Sequence, residues 1–136
     1  MIEESPCPIL KAKERQELQS IAIKATDALD YVNTGTIECL MDQAHHFYFM
    51  EMNTRIQVEH TVSEMITGVD IVREQVRIAA GLELEITQAD LAPHGVSIEC
   101  RINTEDPARA FMPPSGQVDH LYLPKGKARS EVTQAL

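Results

Sequence analysis

The chain has 136 residues, 43% of them apolar and 24% charged, which suits one globular domain with a buried core and argues against disorder. A formal net charge of −9, with Lys and Arg scattered, excludes a general nucleic-acid or anionic-membrane surface, so any anion must be held by a local site. No apolar run approaches the ~20 residues of a membrane span and MIEESPCPIL lacks the regions of a signal peptide, so a cytoplasmic location is expected.

Cys7, Cys39 and Cys100 are odd in number and far apart, which predicts reduced, partly buried thiols without chemistry of their own. After Pro8, Leu18, Ile21, Ala22, Ala25 and Leu29 recur at helical spacing and predict an amphipathic helix. TGTIECLM and FYFMEMN read as two strands of a hairpin, separated by the polar DQAHH, whose His45 and His46 are expected to be exposed. Thr61 with Glu64 fits a capping box, and Val62, Met65, Ile66, Val69, Val72, Val76 and Ala79 keep to one helical face up to a stop at Gly81. Gly68 offers a break, with Thr67 and Asp70 as caps for a second helix. ITQADLAPHG reads as a linker. In GVSIECRINTED, Val96, Ile98, Cys100 and Ile102 alternate with Ser97, Glu99, Arg101 and Asn103. PPSG predicts a turn with positive φ at Gly116, QVDHLYLP one more strand, and KGKARSEVTQAL no pattern.

Antiparallel pairing around a turn centred between Ala44 and His45, with a loop of two or four residues, sets Glu38 opposite Glu51. Opposed carboxylates destabilise a sheet unless a cation or proton lies between them, and Asn53, two residues beyond Glu51, adds a neutral oxygen. Glu38, Glu51 and Asn53 then form an all-oxygen set suited to Mg²⁺ or Mn²⁺; spacing alone equally fits a solvated polar face. Arg55, Gln57 and Glu59 continue the period of two. They fit either an oxyanion site with a base beside it or a surface Arg–Glu ladder.

The run FYFMEMNTRIQVEHTVSEMITGVDIVREQVRIAAG followed by SIECRINTEDP resembles the biotin carboxylase subunit or domain of biotin-dependent carboxylases, a branch of the ATP-grasp enzymes, from about Met1 to Leu123. The resemblance implies an α+β fold. Residues 1–90 would form the C-terminal part of the ATP-grasp domain, an antiparallel sheet with flanking helices. Residues 91–136 would begin the biotin carboxylase C-terminal domain. It also implies roles. Glu38, Glu51 and Asn53 match the family's ligands for Mg²⁺ or Mn²⁺ on ATP; Arg55, Gln57 and the amide of Val58 match its bicarbonate contacts, with Arg55 catalytic. Glu59 matches the general base that deprotonates bicarbonate, leading to carboxyphosphate, and Arg101 the arginine that stabilises the biotin enolate. Leu40 is expected either to face the adenine or to be a plain core leucine.

The implied partners are a biotin carboxyl carrier protein, carboxyltransferase subunits, and a complementary amino-terminal fragment or a second copy. Family likeness favours acetyl-CoA carboxylase, and fatty acid biosynthesis, as the parent. ECLMDQAHHFYF is one residue longer than the family pattern, so either a bulge or altered turn absorbs the extra residue or Glu38 shifts against Glu51. The resemblance starts after the region where the family places its glycine-rich lid loop and phosphate-contacting lysines. Inactivity of the isolated chain is therefore expected, and a silent carboxylase-binding partner is the alternative to an enzyme.

Overall fold

The computed structural model describes residues 1–113, His120 and Tyr122. The expected Gly116 turn, the strand QVDHLYLP apart from His120 and Tyr122, and KGKARSEVTQAL lie outside the described residues. The chain divides into two compact units, Ile2–Glu99 and Met1 with Cys100–Leu136. Its elements are β1 (Ile2–Ser5), α1 (Ala12–Ala28), β2 (Thr36–Met41), β3 (Phe47–Asn53), α2 (His60–Thr67), α3 (Ile71–Ala79) and β4 (Ser97–Cys100). The strands form two pairs, β1 with β4 and β2 with β3.

Helix α1 begins after Lys11, whose amide donates to the Glu14 carboxylate at 2.7 Å. It ends where the Tyr31 amide returns to the Thr26 carbonyl and Asp30 takes a positive φ of 46°. Leu18, Ala22 and Ala25 are half-buried as the periodicity requires, but Ile21 and Leu29 are exposed.

The β2–β3 hairpin carries the site. Glu38 stands opposite Glu51 and Thr36 opposite Asn53, while Cys39 pairs with Phe49, so Met50 is the extra residue of a bulge between those registers. The bulge absorbs the added residue and leaves Glu38 and Glu51 in register. The turn differs from expectation. It is the five-residue loop 42–46, centred on Ala44, because below the bulge the register moves by one and Met41 pairs with Phe47.

Asp42 organises that loop. Its Oδ1 accepts the amides of Ala44 at 2.8 Å and His46 at 2.9 Å, and its Oδ2 meets the Tyr48 hydroxyl and His46 Nδ1, each at 3.1 Å. His45, at a φ of 64°, turns back so that Nδ1 lies 3.0 Å from Glu14 of α1. It is therefore half-buried rather than exposed, whereas His46 is exposed. The His46 amide, then the His46 and Tyr48 side chains and the Ala44 amide, hold the Asp42 carboxyl down at about 2 from the usual 3.8. A depressed carboxyl stabilises the fold above its unfolded value and loses that contribution as pH falls through the folded one. The hairpin should thus loosen between pH 3.8 and about 2. Asp42→Asn should remove that step from an acid titration followed by hairpin amide NMR.

Helix α2 starts at His60, with Glu59 in the cap position, not at the expected Thr61 box. Thr61 instead donates its hydroxyl to the Glu99 carboxylate, and Glu64 reaches forward to accept the Ile71 amide at 2.6 Å. Gly68, at a φ of 75°, ends α2, and Asp70 caps α3 by accepting the Arg73 amide at 2.8 Å. Gly81, at a φ of 80°, follows the end of α3 as expected. The break at Gly68 rotates the inward face. Val62 and Ile66 are the buried apolar residues among those described, but Val72 and Val76 are exposed while Ile71 and Ile78 turn inward.

The linker 86–95 contains a short 3-10 turn, Gln88–Asp90. Strand β1 had no legible signal. Its IEES carries a single apolar residue, too little for an alternating pattern. β4 alternates as expected with the opposite side covered. Ser97 and Glu99 are half-buried, while Val96 and Ile98 are 72% and 61% exposed. Helix α2 packs on β1 and engages Glu99, so it covers the polar side of this pair. In the second unit the Arg101 amide donates to the Met1 carbonyl at 3.0 Å, and Asp106 accepts the Ala108 amide at the start of the 3-10 turn Pro107–Arg109. Cys7 and Cys39 are half-buried free thiols; Cys100 is free and exposed, because it lies on the uncovered side of β4.

Candidate functional site

Residues opposed in an antiparallel pair share a face, so Glu38, Glu51, Asn53 and Thr36 project from the same side of the hairpin. Asn53 reaches diagonally across the ladder. Its Nδ2 donates to Glu38 Oε1 at 2.8 Å and lies 3.3 Å from Glu51 Oε1. An amide N–H₂, the positive end of a dipole, thus lies between two carboxylates, where a cation is favoured on the same electrostatic grounds. Among the described residues no three His, Cys, Asp or Glu side chains are gathered for a metal. The set here depends on the amide.

It fits a hard divalent ion. Two carboxylates and the Asn53 carbonyl oxygen supply oxygens only, and rotation of the Asn53 amide exchanges its N–H₂ for Oδ1. Gly35 stands at the foot of β2, where an added Cβ would lie 3.1 Å from the Asn53 carbonyl oxygen and 3.2 Å from both Met52 Cε and Tyr31 Cε1. Met52 can move aside; the backbone of Asn53 can do so only by shifting β3. Gly35→Ala is therefore expected to weaken Mn²⁺ binding by about tenfold, as disturbance of a ligand's support commonly does, with retained far-UV circular dichroism. An unchanged titration would show that Asn53 does not depend on that close approach.

The expected continuation of the strand through Arg55, Gln57 and Glu59 is overturned. β3 ends at Asn53, residues 54–57 are irregular, Val58 and Glu59 form a turn, and α2 begins at His60. The chain leaves the sheet because the amide of His60 and its Nδ1 both engage the Gln57 carbonyl, at 3.3 and 2.8 Å. The turn still returns two of the three side chains to the Glu38–Asn53–Glu51 set, Gln57 to a carboxylate and Arg55 to the Asn53 amide oxygen. Gln57 Nε2 lies 3.0 Å from Glu38 Oε1, and Arg55 Nη2 lies 3.3 Å from Asn53 Oδ1. Arg55 is exposed and also donates to the Ile56 carbonyl, so its fork faces outward beside the carboxylate pair. Gln57 Oε1 is a buried oxygen without a protein hydrogen-bond partner.

Val58 is 53% exposed in the turn, and Glu59 is the half-buried residue from which α2 departs. Leu40 is not core. It is 59% exposed and pairs with Tyr48 on the same face as Glu38. Arg101 belongs to the second unit. The Gln57–Glu38 contact, the Gly35 approach and the Thr61–Glu99 bond were not expected from spacing, since each joins residues far apart in sequence. The role of Asp42 was legible in principle, because an Asp followed by amides two and four residues on is a local turn signature.

The model of the carbamoyl-phosphate synthase L chain ATP-binding domain matches residues 1–87. The chain belongs to that family. Among curated proteins it is similar to biotin carboxylase 1 of Bacillus subtilis, 47% identical over 127 residues that make up 93% of this chain and 28% of the relative. It is likewise similar to the mitochondrial methylcrotonoyl-CoA carboxylase subunit alpha of Mus musculus, 46% identical over 97% of this chain and 18% of the relative. Among solved structures, the biotin carboxylase domain dimer of the Hydrogenobacter thermophilus 2-oxoglutarate carboxylase, in complex with MgADP, ADP and bicarbonate, superposes with a TM-score of 0.87. The two are 48% identical over 93% of this chain and 28% of that one. The chain spans about a quarter of the length of such relatives, and its mixed helical and antiparallel-sheet architecture is that of their ATP-grasp domain. Among the described residues no helix is long and apolar enough to cross a membrane.

Proposed function

We propose that this chain forms the metal-, bicarbonate- and base-bearing segment of a biotin carboxylase, which uses ATP with Mg²⁺ or Mn²⁺ to carboxylate biotin on a carrier protein. The observation that carries the reading is the connected set Glu38–Asn53–Glu51 with Gln57 and Arg55 attached to it by hydrogen bonds of 2.8 to 3.3 Å. A surface Arg–Glu ladder would not require opposed carboxylates sharing one amide. In this reading residues 1–90 are the end of the ATP-grasp domain and 91–136 open the biotin carboxylase C-terminal domain.

A bound divalent ion would neutralise phosphate charge during phosphoryl transfer. Glu38, Glu51 and Asn53 would hold it. Arg55, Gln57 and the Val58 amide bind and orient bicarbonate, and Glu59, in the turn that leads into α2, accepts its proton. Arg101 would serve the biotin, and Leu40, with its open apolar side chain, would pack against the nucleotide base. Family likeness favours acetyl-CoA carboxylase in fatty acid biosynthesis as the parent. The mouse and Hydrogenobacter relatives bear the names of other acceptors at the same level of identity, so the segment itself is common to several carboxylases. The carboxyl carrier and carboxyltransferase subunits are the partners of this reading.

The test is bicarbonate-dependent ATP cleavage with free biotin and Mg²⁺, measured for the chain alone and mixed with the amino-terminal remainder of a biotin carboxylase. Turnover in the mixture supports the enzyme. Docking without turnover supports a second reading, a silent carboxylase-binding chain, which the open apolar residues Ile98, Val96, Leu40 and Phe49 favour.

A further inference from the structure

The turn between β3 and α2 places two donors on one acceptor. The Gln57 carbonyl oxygen accepts the His60 amide at 3.3 Å and lies 2.8 Å from His60 Nδ1. A carbonyl oxygen only accepts, so Nδ1 carries a proton at this contact. His60 is the first residue of α2, where an amide has no partner within the helix, and at 3.3 Å its backward bond is just beyond the ordinary range. The ring makes the shorter bond and holds the carbonyl.

What the ring fixes lies across the peptide bond. The Gln57–Val58 peptide is trans and planar, so its C=O and N–H point in opposite directions. Drawing the Gln57 oxygen toward His60 therefore turns the Val58 N–H away from His60, in a residue that is 53% exposed. The same bonds polarise the peptide, and an amide whose carbonyl already accepts is the stronger donor at its nitrogen. An anion bound at that N–H gains in both aim and strength.

We infer that His60 is a positioning residue for bicarbonate: its ring anchors the Gln57 carbonyl, and the anchored peptide presents the Val58 N–H to the anion. The inference rests on the bicarbonate assignment proposed above and adds the side chain that maintains it. His60 itself touches neither the anion nor the metal set. The ring is needed for its Nδ1–H, and any side chain that returns an N–H to the same place should serve.

Asparagine meets that requirement, because its Nδ2 stands as many bonds from Cα as the Nδ1 of histidine. Leucine has the same branched skeleton without a donor. The experiment is a bicarbonate titration of the full ¹⁵N-labelled chain by NMR, with chloride at equal ionic strength as the control, followed at the Val58 amide; Mn²⁺ affinity is measured on the same samples. In the native chain the Val58 signal should shift saturably with bicarbonate and not with chloride. His60→Leu should weaken bicarbonate binding about tenfold, the lower end of what a hydrogen bond to a charged group contributes, with Mn²⁺ affinity retained. His60→Asn should bind both as the native chain does. A His60→Leu chain that keeps native bicarbonate affinity overturns the inference, as does a His60→Asn chain that loses as much as His60→Leu. Loss of Mn²⁺ affinity in step with bicarbonate in His60→Leu also overturns it, since a merely structural role would disturb both. In these three cases the bicarbonate reading stands. A native Val58 amide that responds alike to both anions overturns that reading, and the role of His60 with it.

Discussion

Glu59→Gln is expected to lower bicarbonate-dependent ATP cleavage by about 10²–10⁴-fold in the chain complemented by the rest of a biotin carboxylase, the usual contribution of a positioned general base. The substitution is nearly isosteric and removes the negative charge together with the ability to take a proton. The Glu59 side chain does not cap α2, so the helix should form as before, and Val62 and Ile66 should remain buried beneath it. The loss should therefore appear in turnover while Mn²⁺ affinity is retained. A variant that retains turnover within a few-fold would remove Glu59 from the chemistry, whatever its place at the turn.

Glu51→Gln should act with opposite signs on stability and on metal binding. In the metal-free chain the two carboxylates stand directly opposite, an arrangement that costs roughly 0.2–1 kcal/mol in an exposed antiparallel pair. The single Asn53 amide shared between them offsets only part of this. Neutralising one partner should raise the metal-free unfolding temperature. The same change removes a charged ligand and should weaken Mn²⁺ binding by about 10–100-fold, the range seen even for groups that merely support a ligand. A polar face without a cation role predicts the first effect and not the second, so a thermal melt and a titration on one variant separate the two readings.

The parts of the fold that follow from local chemistry were legible in the sequence. Residue sums set Glu38 against Glu51, although around a shorter turn than the one observed. The surplus residue left open a bulge, an altered turn or a shift of Glu38, of which the structure shows a bulge at Met50 with a five-residue loop. Gly68, Asp70 and Gly81 mark breaks because each acts within its own turn of chain. What depends on partners distant in sequence was not legible. Thr61 and Glu64 match a capping box, yet β4 and the start of α3 take both side chains for other bonds. The alternation of β4 was read correctly, but alternation does not say which side a helix will cover, and α2 covers the polar one. Arg55, Gln57 and Glu59 keep the period of a strand without being one. His60 draws the Gln57 carbonyl into a turn, and the side chains reach the site by another path. Residue types and register thus brought Glu38, Glu51 and Asn53 together without choosing between a metal set and a solvated face, the family resemblance supplied the expected roles, and the Gln57–Glu38 link and the Gly35 approach needed coordinates.

The most direct measurement is a Mn²⁺ double-variant cycle with Glu38→Gln, Glu51→Gln and the pair together. One ion bound jointly by both carboxylates predicts that each single variant loses most of the affinity and that the pair loses little more, a strongly non-additive result. Losses that simply add, or Mn²⁺ held unchanged by either single variant, would mean that the two side chains do not share an ion.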